Sequence, residues 1–357
     1  MSLPDNVLRP SPADWRTEEP PAPGFGVRTL AFPLPGRLRV GAHLEELPPG
    51  RTSCPLHYHL LEEEHFLVLE GTLTVRELPD GGDEVREYPL EAGELVAYPG
   101  GTRLAHQCVN RGDVPARFLA VSDVRPGDVC VYPASGKVLV KALPEVGVFG
   151  PHAWGAGAPP EPPDAAARIV SARERARAWT VATLAPDERP EHVTGPVRLE
   201  ERELLEGELR FFGLPLARKA GAQAVFVNRD RLPPGSRTTL HWHARDEEYL
   251  VVLAGRPTLR QVRGHRDELG RPGFAGGGEE RVELRAGDLV HWSPDELVAH
   301  HLLNDAGEDA VLLVVGDANS DDVCLMPDRG DAWIAPLERA GHLVPADYWA
   351  GEEAVDG

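Results

Sequence analysis

From residue 37 onward, apolar and polar positions alternate with a period of two. The run RLRVGAHLEEL at 37–47 does so before a Pro-Pro-Gly turn at 48–50, and FLVLEGTLTVREL at 66–78 and PARFLAVSD at 115–123 continue the pattern. Successive side chains of a strand point to opposite faces, so this period marks half-buried strands, and the Gly, Pro and Asp residues between the runs supply the turns. A second set opens at QAVFVNRDRLPPG, residues 223–235, an echo of GAHLEELPPG, and runs to residue 330. The pattern predicts an all-β chain, and many short strands with frequent turns close into sandwiches or barrels.

The flanking segments lack this period. Residues 1–36 are rich in proline and are read as an irregular arm; WGAGAPPEPPD at 154–164 is read as an extended linker and SARERARAW at 171–179 as a short helix. The division that follows is an arm at 1–36, a first β domain at 37–150, a linker at 151–195, a second β domain at 196–332 and a tail at 333–357. Trp333, Tyr348 and Trp349 in the tail are expected to dock on a domain surface.

Two domains suit a chain of 357 residues, and an internal duplication supports the count. HYHLLEEEHFLVLEG at 57–71 and HWHARDEEYLVVLAG at 241–255 are identical at 7 of 15 positions, and 92–136 aligns with 286–330 without a gap, with 16 identities in 45. The second copy is ten residues longer between Gly255 and Ala286, in the Gly-rich RGHRDELGRPGFAGGGEE, read as a loop at a hairpin tip.

Composition narrows the partners. A net charge of −20 and a pI near 5.1 repel phosphate backbones and anionic lipid, which argues against nucleic acid and membrane surfaces. The amino terminus MSLPDNVLRPSPADW has no apolar signal region and no stretch approaches the roughly 18 apolar residues of a membrane span, so a cytoplasmic location is expected. Cys54, Cys108, Cys130 and Cys324 form no Cys-x-x-Cys pair and are expected to be reduced, with Cys130 and Cys324 as small buried residues at equivalent places.

The repeats carry the chemistry. His57 and His59 project from one face of a strand, as do His241 and His243; Glu64 and Glu248 follow five residues after the second His of each pair. His106 and His300 occupy matching places far along each copy, where only a closed barrel or sandwich would return them to the pair. Three neutral imidazoles and one carboxylate suit Fe, Mn, Ni, Co, Cu or Zn and leave coordination positions for water or substrate. Glu62, Glu63, Asp246 and Glu247 are read as solvated loop charges or as partners of the ligands; His65 and His301 should face away from the metal, and His43 and His291 have no assigned place. Cys108 shares the inward face of His106, where the second copy has Leu302, and is read first as a small apolar wall residue.

With these motifs the chain resembles a bicupin over roughly 37–140 and 222–330. The first cupin motif is met by His57, His59, Glu64 and Gly71, and again by His241, His243, Glu248 and Gly255. The second is met by Gly93, Pro99, Gly101, His106 and Asn110; the second copy keeps Gly287, His300 and Asn304 but has Ser293-Pro294-Asp295 in place of the Pro-x-Gly turn. LPPG before the first motif and Tyr132, Pro133, Ser135, Gly136 and Lys137 after the second are similar to a bacterial cupin group of unassigned activity. The resemblance implies two jelly-roll (double-stranded β-helix) barrels with one divalent metal (Fe, Mn, Zn or Ni) in each, and a homodimer. The family names no substrate; the expected function is a metalloenzyme acting on a small metabolite by Lewis-acid activation, dioxygenase-like or decarboxylase-like, with a non-catalytic binding or sensor bicupin as the alternative. No carboxylate or lysine outside the ligand set stands out as a general base.

Overall fold

A computed structural model describes residues 3–18, 24–31, 39–143, 145–148, 202–206, 209–215, 224–268, 270–317, 322–335 and 339–342. The expected helix at 171–179, the linker stretch 154–164, Tyr348 and Trp349 lie outside them. The described residues are strands and turns, with two three-residue 3-10 turns, Pro12–Asp14 and Pro294–Glu296. No described helix is long and apolar enough to cross a membrane.

Each repeat folds into a barrel of antiparallel strands. In the first, a six-stranded sheet runs in the order Arg16–Glu18, Val27–Ala31, Val40–Leu47, Ala116–Asp123, Glu64–Glu70, Leu95–Tyr98. Facing it are a three-stranded sheet containing Thr72–Pro79 and Leu104–Val109, and a four-stranded sheet that ends on Tyr58–His59. Phe66, Val68, Leu73, Val75, Cys108 and Phe118 pack inside. The second barrel repeats the plan with Val225–Leu232, Ala310–Asp317, Glu248–Ala254 and Leu289–Trp292 in its large sheet, around Leu232, Leu250, Val252, Leu259 and Leu312.

The alternation read from the sequence explains how the barrels join. Residues of the large sheets that do not face their own barrel interior face the other barrel: Val40, Ala42, Leu67, Leu119 and Val121 share one buried cluster with Val225, Val227, Val251, Leu313 and Val315. Over this shared cluster each sheet is therefore buried on both faces.

The amino-terminal arm departs from its expected irregularity. Val7–Leu8 pairs with Leu289 and Val290 of the second barrel, while Arg16–Glu18 pairs with Val27–Ala31 of the first. The arm thus crosses from one barrel to the other, anchored by the Asn6 amide, which donates to Gln261 Oε1 at 2.8 Å. Strands of two or three residues carry no readable period, so the sequence hid them.

Two glycines hold a turn that no other residue fits. Gly255 has φ +80°, and a Cβ there would lie 2.6 Å from the Asp309 carbonyl oxygen; Gly71 has φ +75° and would meet the Pro115 carbonyl at 2.8 Å. Gly287, at φ +89°, faces open space. Gly255→Ala is expected to cost about 2–4 kcal/mol, combining left-handed strain with a backbone clash, whereas Gly287→Ala costs about 1–2 from strain alone. Urea unfolding of the two variants checks the difference, and equal losses would refute the clash.

Candidate metal centres

In both repeats the fold brings the four sequence-predicted residues together. The first and last histidines of each set are backbone neighbours: His57 N–H donates to His106 O at 3.2 Å and His106 N–H to His57 O at 2.8 Å, with 3.1 and 2.9 Å for His241 and His300. Glu64 and Glu248 open the next barrel strand and turn their carboxylates into the same space. Glu64 Oε2 lies 3.6 Å from His57 Nε2, 3.9 Å from His59 Nε2 and 2.7 Å from His106 Nε2. Glu248 Oε2 lies 3.4, 3.7 and 3.1 Å from the Nε2 atoms of His241, His243 and His300.

The outer nitrogens are all engaged. Nδ1–H of His57 donates to Pro55 O at 2.8 Å, that of His59 to Asp128 at 2.6 Å and that of His106 to Leu104 O at 3.1 Å. In the second cup the acceptors are Thr239 O, Asp322 and Val298 O at 2.8, 2.7 and 3.3 Å. With one proton held at Nδ1, each ring in its neutral form directs the Nε2 lone pair inward, the tautomer a metal ligand needs. Tyr98 stacks on His106 at 3.8 Å between centroids and Trp292 on His300 at 3.7 Å, so packing also fixes these ring planes.

The electrostatics fit the same reading. Burial opposes charge on Glu64, yet its bonds to His106 and His57 hold its pKa well below the usual carboxylate range; burial likewise opposes charge on Glu248, which His300 and His241 hold low. Burial pushes His300 down to about 4. At His243 burial works the same way, but the bond to Asp322 and the charge of Glu248 outweigh it and raise the pKa to about 9. Each cup gathers side chains that could hold a metal: His57, Glu64 and His106 in one, His241, His243 and Glu248 in the other.

Several residues were missed or misplaced by sequence reasoning. Asp128 and Asp322, which orient His59 and His243, are identical between the ungapped copies, so the signal was present in the alignment. Asp128→Asn or Asp322→Asn should weaken metal binding at its own cup about 10–100-fold. Competition with a chromophoric chelator measures this, and unchanged affinity would remove the aspartate from the site. Glu63 and Glu247 are buried and bond the opposite barrel, while Glu62 is buried and paired with Lys141. His65 faces Glu63 and His301 faces Thr238 O, both away from the cup as expected. Cys108 is fully buried in the first barrel's core, and burial pushes its thiol well up, which matches the apolar wall role.

A carboxylate also enters each barrel from its first long strand. Glu45 pairs in register with Phe118, and Asp230 with Leu312, both interior residues, so the two acids sit on the cup face at equivalent positions. Burial, with the charge of Glu248 adding, pushes Asp230 up to about 7.

The cups differ beside the ligand glutamates. Gly316 pairs with Glu248 and with Phe226, and a Cβ on Gly316 would lie 2.7 Å from the Phe226 ring, so that ring fills the layer. The equivalent layer of the first cup has Gly41 against Ser122 where the second has Phe226 against Gly316.

Comparison with known proteins adds the following. The cupin domain family (Cupin_2) matches residues 43–122 and 228–316. The tetracenomycin polyketide synthase protein TcmJ of Streptomyces glaucescens is 34% identical over 111 residues, which is 31% of this chain and 65% of that protein, so the chain spans just under two thirds of it. The Lactobacillus farciminis oxalate decarboxylase formate complex superposes with a TM-score of 0.51 at 16% identity, covering 88% of this chain and 87% of that one. Bacillus subtilis oxalate decarboxylase, in a study of its Mn(II) centres, gives 0.51 at 16%, covering 90% and 80%. At that identity these structures show the shared fold.

Proposed function

Since the chain is a bicupin, two cupin domains in tandem on one polypeptide, we propose that each domain holds one divalent transition metal (Fe, Mn, Zn or Ni) and that the chain is a metalloenzyme acting on a small oxygen-bearing metabolite. The ligands would be His57, His59, Glu64 and His106 in the first cup and His241, His243, Glu248 and His300 in the second. The observation that carries this reading is the common orientation of six imidazoles, each with Nδ1 bonded outward and Nε2 facing one carboxylate oxygen.

When bound, the metal supplies Lewis-acid polarisation of substrate oxygens. Around it, Asp128 and Asp322 hold the second imidazole of each set in register, and Tyr98 and Trp292 brace the last. Glu45 and Asp230, interior carboxylates at equivalent positions of the two barrels, are our candidates to accept or return a proton, the acid/base group absent from the sequence reading. Gly41 in the place of Phe226 supports the first cup as the one that admits substrate.

The test is to strip the protein with chelator, reload it and screen turnover. Oxalate and phenolic carboxylates go in first, the latter because TcmJ is named for a polyketide synthase; oxygen uptake and CO2 release are the readouts. A chain that holds no ion after reloading refutes the proposal, and one that binds metal but turns over nothing in the screen belongs to the binding or sensor class. A homodimer is part of the proposal and is read by light scattering at micromolar concentration.

Proton competition gives a further expectation. Metal binding must displace the proton that His243 holds up to about pH 9 in the metal-free cup. Affinity at the second cup should therefore rise about tenfold per pH unit between roughly 7 and 9, higher than the unperturbed histidine value near 6.5 implies. Folding of the metal-free chain should show the opposite trend: a raised folded-state pKa gives stability that is full below about 6.5 and lost as pH rises through 9. A pH-independent affinity at the second cup would exclude His243 as a ligand.

A further inference from the structure

The two large sheets meet closely where strands Glu64–Glu70 and Glu248–Ala254 begin and splay apart where they end. The result is a cleft of about 820 Å³ between the barrels, outside both metal cups. Its floor is apolar and half-buried, formed by Leu44, Leu69 and Leu253 over Leu67, Val251 and Leu313. The arm crosses it, with Trp15 packed against the same cluster and Arg9 tied to Asp288 at 2.5 Å.

The charge around this cleft reverses that of the chain. Arg9, Arg117, Arg229 and Arg285 line it against the acidic side chains of Glu70 and Asp288, in a protein of net charge −20; Glu45 also borders it, but its carboxylate points into the first barrel. Arg117 and Arg285 are exposed, at 48% and 61% of their side chains, so their guanidiniums reach the cleft mouth, although Arg117 pairs with both Glu46 and Glu70 and Arg285 lies 3.9 Å from Asp288. An apolar floor of this volume under a cationic rim matches a ligand with a hydrocarbon or aromatic body and one anionic head.

We propose that this cleft is a binding site for an apolar carboxylate, its body on the leucine floor and its head among Arg117, Arg229 and Arg285. The site owes nothing to the metal centres. It draws residues from both barrels and a roof from the arm, so only the full chain contains it.

Isothermal titration calorimetry of the metal-loaded full chain with octanoate and with 1-octanol tests the proposal. Octanoate should bind saturably at one site, with 1-octanol at least tenfold weaker. The double variant Arg229→Glu, Arg285→Glu should lose at least tenfold for octanoate while metal content stays at two ions per chain. Leu253→Trp, which fills the floor, should weaken both ligands and decides the matter alone if the double variant does not fold. Absence of saturable octanoate binding, equal binding of 1-octanol, displacement of octanoate by inorganic phosphate at equal concentration, or full binding by Leu253→Trp would each overturn it.

Discussion

Replacing His106 with alanine is expected to leave one bound ion per chain instead of two, and His300→Ala to do the same at the other cup. Each of these imidazoles sits closest to the ligand carboxylate, at 2.7 and 3.1 Å, and each is backbone-paired with the first histidine of its set. Loss of the ring removes one of four donors and unpins the glutamate. Because zinc-type sites draw about 10 kcal/mol or more from a full ligand set, loss of one ligand should lower affinity by several orders of magnitude. Metal analysis after chelation and reloading reads the stoichiometry. A variant that still loads two ions would show that its histidine is not a ligand. If only one variant abolishes a measured turnover, that cup is the reactive one, and Gly41 in the place of Phe226 makes the first cup the expected answer.

Glu247→Ala should destabilise the chain by about 3 kcal/mol, as should Glu63→Ala. Glu247 crosses to the first barrel, where it accepts from the N–H groups of Arg39 and Val40 at 2.8 and 3.1 Å, and it meets His291 Nε2 at 2.8 Å. Glu63 returns the arrangement, accepting from Ala224 and Val225 N–H at 3.1 Å and meeting His65 Nε2 at 2.9 Å. Truncating either carboxylate strands two backbone donors and a histidine in a buried interface. Glutamine at the same position keeps an acceptor and should cost less than half as much. Denaturant unfolding of the four variants checks the order, and an alanine variant as stable as the parent would show that the apolar cluster alone holds the barrels together.

The sequence made the ligand sets legible because His-x-His, a carboxylate and a distant His recur at matched spacing, and coincidence rarely reproduces such a pattern twice. It made the strands legible wherever they were long enough to show period two. What stayed hidden depends on which face of a sheet meets what. Glu63 and Glu247 sit beside the ligand glutamates and look like loop charges; nothing in one strand's pattern says that a second barrel lies against its outer face. His65 and His291 do the same job from different strands, opposite Ala97 and Tyr249 respectively, so an alignment of the repeats does not match them. Asp128 and Asp322 were within reach, since both survive in the ungapped copies, but an identity does not say which imidazole it orients. Asp230 was hidden by its neighbours Asn228, Arg229 and Arg231: four polar residues in a row interrupt the alternation of the strand read over 223–235, so nothing there singles out one acid as directed inward.

The arm sets the order in which the molecule can be completed. Val7 and Leu8 find their partners at Val290 and Leu289, more than 280 positions later in the chain. On the ribosome, the first barrel has all its strands long before those partners emerge, and amino-terminal domains fold as units while synthesis continues. The first eight residues must therefore wait, tethered to a finished barrel, until the second is nearly made. Joining such distant segments is slow compared with local pairing, so the strap is expected to be the last piece of sheet to form. A fusion placed directly before residue 3 would burden that final step while leaving both barrels intact.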